Sequence, residues 1–105
     1  MTMENKRILA FKVSRQKIEK NGDFSGLVKG TRGYLQVALS YTNEWNGCKK
    51  AAVFYAGEKE YCVPVINDRC AVPDEVADKT FWELKLVGEK AGFRITTNTV
   101  GVTQK

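Results

Sequence analysis

The sequence predicts an all-β fold, an antiparallel sandwich or barrel. Three observations carry that prediction. Apolar residues recur with the period of two that marks strands, far better than with the helical period. Candidate strands return about every ten residues with turn signals between them. The chain has 105 residues, 43% of them hydrophobic, with five Phe, four Tyr and two Trp, which suits one packed core rather than two.

The elements follow in order. ILAFKV is the first strand. The tract IEKNGDFSGLVKGTRGY is a glycine-rich connection with a short strand around Lys17 to Glu19. In YLQVALSY, Leu35, Val37, Leu39 and Tyr41 alternate with Gln36, Ala38 and Ser40, the pattern of a half-buried antiparallel strand. NEWNGCKK turns a corner: Asn46-Gly47 supplies the positive φ of a tight turn, and Trp45 caps one end of the core. KKAAVFYAGEKEYCVPV reads as a hairpin closed by Ala56-Gly57-Glu58-Lys59. Pro64 cannot donate to a ladder, so the second strand of that hairpin is an edge or has its free amide side outward. Ile66-Asn67-Asp68-Arg69 turns into Cys70-Ala71-Val72, which closes the core. Pro73-Asp74-Glu75-Val76 then starts a single helical turn near 73–77, with acids at its positive end. TFWELKLVG puts Trp82, Leu84 and Leu86 on one side and Glu83 and Lys85 on the other. Glu89-Lys90-Ala91-Gly92 leads into FRITTNTVGV, a last strand rich in β-branched residues.

Composition excludes much chemistry. The sequence has no histidine, which removes the usual general base and the commonest zinc ligand. Three cysteines, Cys48, Cys62 and Cys70, form no CxxC pair. Lys49 and Lys50 could lower the pKa of Cys48, but salt screens such solvated charges over about 8–10 Å. Cys62 and Cys70 sit in apolar strands, where cysteine serves as a small core hydrophobe. The acid pairs Asp74/Glu75 and Glu58/Glu60 are explained by dipole compensation and solvation. The glycine-rich tract lacks GxxxxGK followed by Ser or Thr, so no phosphate cradle is read there. No catalytic residue, metal ion or cofactor is expected, and the protein is read as a non-enzyme.

Charge is uneven. Residues 1–33 carry eight Lys/Arg against three acids, while residues 34–105 carry nine of each. Lys6, Arg7, Lys12, Arg15 and Lys17 are therefore the candidate surface for an acidic partner, against the plainer reading of a solubilising face. Phe11, Phe24 and Tyr34 near Lys12, Lys20, Lys29 and Arg32 form the pattern a small nucleic-acid-binding barrel would use. Aromatics alternating within strands serve more often as core. No apolar run approaches the ~20 residues needed to cross a bilayer, and the start lacks a secretory signal. The expectation is a chain made and kept in a reducing cytoplasm, or assembled there into something larger.

The order of residues in the second half adds a resemblance. Glu44-Trp45-x-Gly47, Lys50 and AAVF, Val63-Pro64-Val65, Asp68-x-Cys70-x-Val72-Pro73-x-Glu75-Val76, Phe81, Leu84, Gly88 and Arg94-Ile95-Thr96-Thr97-Asn98 follow in that sequence. The set resembles the N-terminal immunoglobulin-like domain of baseplate, tail or fibre proteins of phages and prophages of Gram-positive bacteria, and is similar to upper baseplate proteins. The likeness runs over about residues 6–104. It implies an immunoglobulin-like sandwich of about seven or eight strands that anchors to the virion by docking to other virion proteins or to copies of itself. Made in the host bacterial cytoplasm, such a module ends up in the particle, with distal fibre or receptor-binding segments often following it. The chain ends at Lys105, so the expectation is the anchoring part or a free-standing short protein. Two rivals stand beside this reading: the small nucleic-acid-binding barrel, and a phage-encoded inhibitor of a host enzyme, which no residue supports or opposes.

Overall fold

A computed structural model describes residues 6–105 of the chain; the first five residues of the single domain expected over 1–105 lie outside the described residues. Among the described residues, nine strands form two sheets. Strands β1 (Arg7–Ser14), β2 (Lys17–Lys20), β3 (Leu35–Tyr41) and β6 (Arg69–Ala71) make the first sheet, in the order β2-β1-β3-β6. Strands β4 (Lys49–Ala56), β5 (Lys59–Pro64), β7 (Phe81–Lys90), β8 (Phe93–Thr96) and β9 (Val100–Thr103) make the second, ordered β5-β4-β7-β8, with β9 also on β7. A 3-10 turn at Asn43–Trp45 and one helical turn, α1 (Asp74–Ala77), complete the elements. The fold is the all-β sandwich that the period-two spacing predicts.

Alternation decides which residues fill the space between the sheets. Leu9, Phe11 and Val13 of β1 face Trp82, Leu84 and Leu86 of β7 across a core that also holds Phe54, Trp45 and Val37. Phe54 and Trp82 pack with ring centres 5.6 Å apart, and Phe11 meets Phe24 edge-on at 5.2 Å. Fully burying side chains of this size contributes about 1.5–3 kcal/mol each, so the two faces hold together by area rather than by any single bond.

Four details differ from the sequence reading. The β1–β3 pair is parallel, from Arg7 opposite Leu35 to Val13 opposite Tyr41, inside a sandwich expected to be wholly antiparallel. Parallel neighbours need a long crossover, and the glycine-rich tract provides it. Leu27 is buried, Lys29 N–H donates to the Lys105 carbonyl (2.9 Å), and Lys105 N–H donates to the Leu27 carbonyl (2.9 Å). The strand count is nine because FRITTNTVGV breaks at Thr97–Thr99 into β8 and β9, which pair with successive halves of β7. Thr97 causes the break without losing the ladder. Its Oγ1 accepts the Leu86 N–H (2.9 Å), and its own N–H donates to the Leu86 carbonyl (3.0 Å). The helical turn starts one residue later than proline at the first helical position would require, since Pro73 is its N-cap. Finally, Cys62 is exposed, not a core residue.

The two lateral sides of the sandwich are unlike. Asn98 Oδ1 accepts the Ile18 N–H (2.8 Å), Asn98 N–H donates to the Gln16 carbonyl (3.1 Å), and Gln16 Nε2 donates to the Thr96 carbonyl (3.2 Å). These bonds tie β2 and its turn to the β8–β9 break. On the opposite side, the chain leaves β5 and enters β6 through the tight turn Ile66-Asn67-Asp68-Arg69, with positive φ at Asn67 (53°) and Asp68 (61°). Pro64 lies on the edge strand β5, as its missing N–H requires.

Candidate docking surface

The residues of β1 that do not enter the core, Ile8, Ala10, Lys12 and Ser14, face outward from the first sheet. Register sets their neighbours. Ile8 lies opposite Gln36, Ala10 opposite Ala38, and Lys12 between Ser40 and Glu19. Arg69 pairs with Ala38 and Ala71 with Gln36, while Lys17 pairs with Ser14. The outcome is a face with alanines at its centre, an exposed Ile8, and the cations Lys12, Lys17 and Arg69 around them. Its acid is Glu19, which sits 3.6 Å from the Lys17 ammonium. Small side chains bring the pleated backbone close to whatever lies on it, and cations around an apolar centre favour an acidic partner.

The five basic residues expected to form one surface do not all reach this face. Lys12 and Lys17 do. Lys6 is exposed just before β1. Arg7 instead holds the crossover loop, donating from Nη2 to the carbonyls of Asp23 (3.1 Å) and Ser25 (2.9 Å). Asp23 is itself held below the usual carboxylate range by hydrogen bonds from the Ser25 hydroxyl and amide, with a smaller effect from Arg7. Arg15 occupies the β1–β2 turn with φ of 57°. Its N–H donates to Thr42 Oγ1 (2.9 Å), its carbonyl accepts the Trp45 Nε1–H (2.8 Å), and its guanidinium lies 3.8 Å from Glu44. Arg7 and Arg15 lie eight positions apart along the chain, roughly 25 Å at the usual strand rise. Arg69 was missed by the sequence reading, because it arrives through a β3–β6 pairing about thirty residues apart that no local signal encodes.

Two of the three aromatics that suggested nucleic-acid binding are placed elsewhere. Phe11 is in the core and Phe24 packs against it with Lys20 Nζ 5.5 Å from its ring centre, while Tyr34 is exposed just before β3.

The cysteines do not converge. Cys48 is buried at the corner, its Sγ 3.8 Å from the Glu44 carbonyl. Cys62 points outward from β5, and Cys70 is buried between the sheets, where burial pushes its thiol up to about 12. Beside Cys48 an open cleft of about 460 Å³ is lined by Lys50, Val65, Ile66 and Asp68 among others. Lys50 does not serve the thiol: its Nζ donates to the Cys48 carbonyl (3.3 Å) and lies 4.7 Å from the Tyr41 ring centre. The Tyr41 hydroxyl has no hydrogen-bond partner among the described residues; burial, and then the nearby Asp68 carboxylate, raise its pKa. No group of three or more Cys, Asp or Glu among the described residues could hold a metal ion, and no helix there is long and apolar enough to cross a membrane.

Comparison with protein-family models, with curated proteins and with solved structures finds no match.

Proposed function

We propose that this domain is an assembly module of a tailed-phage particle, in its baseplate, tail or fibre-anchoring part, and that it works by docking to other virion proteins. The observation that carries the reading is the outer face of the first sheet. It is alanine-centred and edged by Lys12, Lys17 and Arg69, a surface that suits another protein better than a small molecule. The ordered resemblance in residues 44–98 supplies the particle. In this reading the chain is made in the host bacterial cytoplasm, carries no cofactor, catalyses no reaction and ends in the virion beside copies of itself. A nucleic-acid ligand is disfavoured because Phe11 and Phe24, two of the three rings such a surface would use, pack into the core instead of beside the cations.

The test is a double charge reversal, Lys12→Glu with Arg69→Glu, followed by co-sedimentation of the chain with assembled particles. At least a tenfold loss of incorporation from a folded variant is expected. Unchanged incorporation overturns the reading. A salt titration against single-stranded DNA distinguishes the nucleic-acid alternative, whose affinity falls steeply with salt.

A further inference from the structure

On the side of the sandwich that Asn98 does not close, no strand lies beyond β5 among the described residues. Its main-chain pattern can be read from one bond. Val65 N–H donates to the Lys50 carbonyl (2.9 Å), so Val65, Val63 and Tyr61 direct their peptide groups to β4. Glu60, Cys62 and Pro64 therefore direct theirs away, and among the described residues no backbone partner meets them. Glu60 and Cys62 are exposed. The neighbouring edge, β6, offers less, because Arg69 exchanges both its peptide groups with Ile66 (2.9 and 3.1 Å). The β8 edge has the Thr96 carbonyl already engaged by Gln16.

We propose that β5 pairs antiparallel with β5 of a second copy of this chain, about a twofold axis at Tyr61 or Cys62. The strip has two donors, the amides of Glu60 and Cys62, and Pro64 ends it as an acceptor only. Within Lys59–Pro64, both donors reach carbonyls of a partner β5 only when the axis lies at one of those two residues. Each register then makes four main-chain hydrogen bonds. Neither sets like charges opposite each other: Glu60 faces Cys62 or Pro64 of the second copy, and Lys59 faces Val63 or Val65. Both cover the half-buried Tyr61 ring with an apolar partner, another Tyr61 or Val63. Closed twofold pairing also consumes the edge, so no open-ended polymer follows. The inference deepens the assembly reading by naming one contact between copies, and rests on that reading for its setting in the particle.

In either register the Cys62 sulfurs lie on the solvent face close to the axis. The 105-residue chain at tens to hundreds of micromolar is expected to sediment as a concentration-dependent dimer. Mild copper-phenanthroline oxidation should trap a disulfide-linked species of twice 11.8 kDa. Cys62→Ser should lose the trapped species and keep the dimer. Cys62→Pro deletes an outward donor without touching a β4 bond, and should weaken self-association at least tenfold while circular dichroism is unchanged. A cysteine placed off the axis, Glu58→Cys with Cys62→Ser, should cross-link at least tenfold more slowly. A monomer at every concentration, or cross-linking of the Glu58→Cys, Cys62→Ser variant as fast as that of the wild type, overturns the pairing, and neither result depends on the proline variant folding. A monomeric chain that still enters particles overturns the pairing alone. A dimer absent from particles upholds it and overturns the assembly reading.

Discussion

Gly88 has no room for a methyl group. A Cβ at that position would lie 2.8 Å from Trp45 Cζ3, 2.9 Å from Cε3 and 3.2 Å from Cys48 Cβ, where ordinary contact begins near 3.4 Å. The indole cannot retreat: Trp45 is fully buried, its N–H is bonded to the Arg15 carbonyl at 2.8 Å, and Tyr41 stacks on it at 6.0 Å. Overpacking of this kind costs about 1–3 kcal/mol. Alanine recovers about 0.5–1 kcal/mol through the unfolded chain, so Gly88→Ala should cost a net of about 1–2 kcal/mol. For a domain of this size the midpoint should fall by about 5–15 °C.

Gly101 supplies the internal control. Its added Cβ would meet Phe81 Cε1 at 2.8 Å, as tight a contact, but Phe81 is 51% exposed and its ring can swing into solvent. Gly101→Ala should therefore cost less than about 1 kcal/mol. Urea denaturation of both variants tests the difference. Trp45→Phe removes the benzo edge that carries Cε3 and Cζ3, so combined with Gly88→Ala it should be less than additive by about 0.5–3 kcal/mol. A Gly88→Ala protein as stable as the wild type, or two glycine variants of equal cost, would refute the account of this corner.

Two further outcomes follow from the hydrogen bonds and the buried thiol. Asn98→Ala leaves the Ile18 amide without its acceptor and should cost about 1–2 kcal/mol by urea denaturation, whereas Asn98→Asp, which keeps the oxygen, should stay close to wild type. Equal losses would mean that the bond is not what closes that side. Cys70 makes stability fall in alkali. The unfolded thiol ionises near 9, but the folded one only at about 12, so its contribution is complete below pH 9 and is lost as pH rises toward 12. At about 1.4 kcal/mol per pH unit, the loss reaches about 1.4 kcal/mol at pH 10. Cys70→Ala should flatten the alkaline limb of a pH–stability curve measured in reductant; parallel limbs would refute the linkage.

What the sequence disclosed is what alternation encodes. YLQVALSY and TFWELKLVG have one apolar phase each, so their buried faces could be read directly, and Pro64 limited its strand to an edge or to one with its free amide side outward. EYCVPV has apolar residues in both phases. Tyr61 and Val63 turn partly inward and Cys62 outward, a choice made by register with β4, where Cys62 lies opposite Val53 on the solvent side. The parallel β1–β3 pair was illegible for a related reason, since strand direction depends on how the crossover packs under Leu27 and Lys105. Thr97 looked like one more β-branched strand residue. Only its hydroxyl geometry shows that it ends β8, by taking the place of a backbone acceptor for Leu86.

The basic cluster failed as a unit for a reason that bears on how docking can be tested. Charges at the ends of β1 are structural: Arg7 fastens two loop carbonyls, and Arg15 carries a left-handed turn whose carbonyl receives the Trp45 indole. Reversing either would disturb the fold, so lost assembly would say nothing about a partner. Lys12 stands between Phe11 and Val13, each 1% exposed, yet its own side chain leaves the other side of the sheet. Arg69 likewise precedes the buried Cys70 and points away from it. Substitutions at these two positions should change stability by less than about 0.5 kcal/mol. Strand alternation thus separates the residues that build the sandwich from those that could use it. A Lys12/Arg69 reversal that kept its melting midpoint and lost its place in the particle would have to act through the surface.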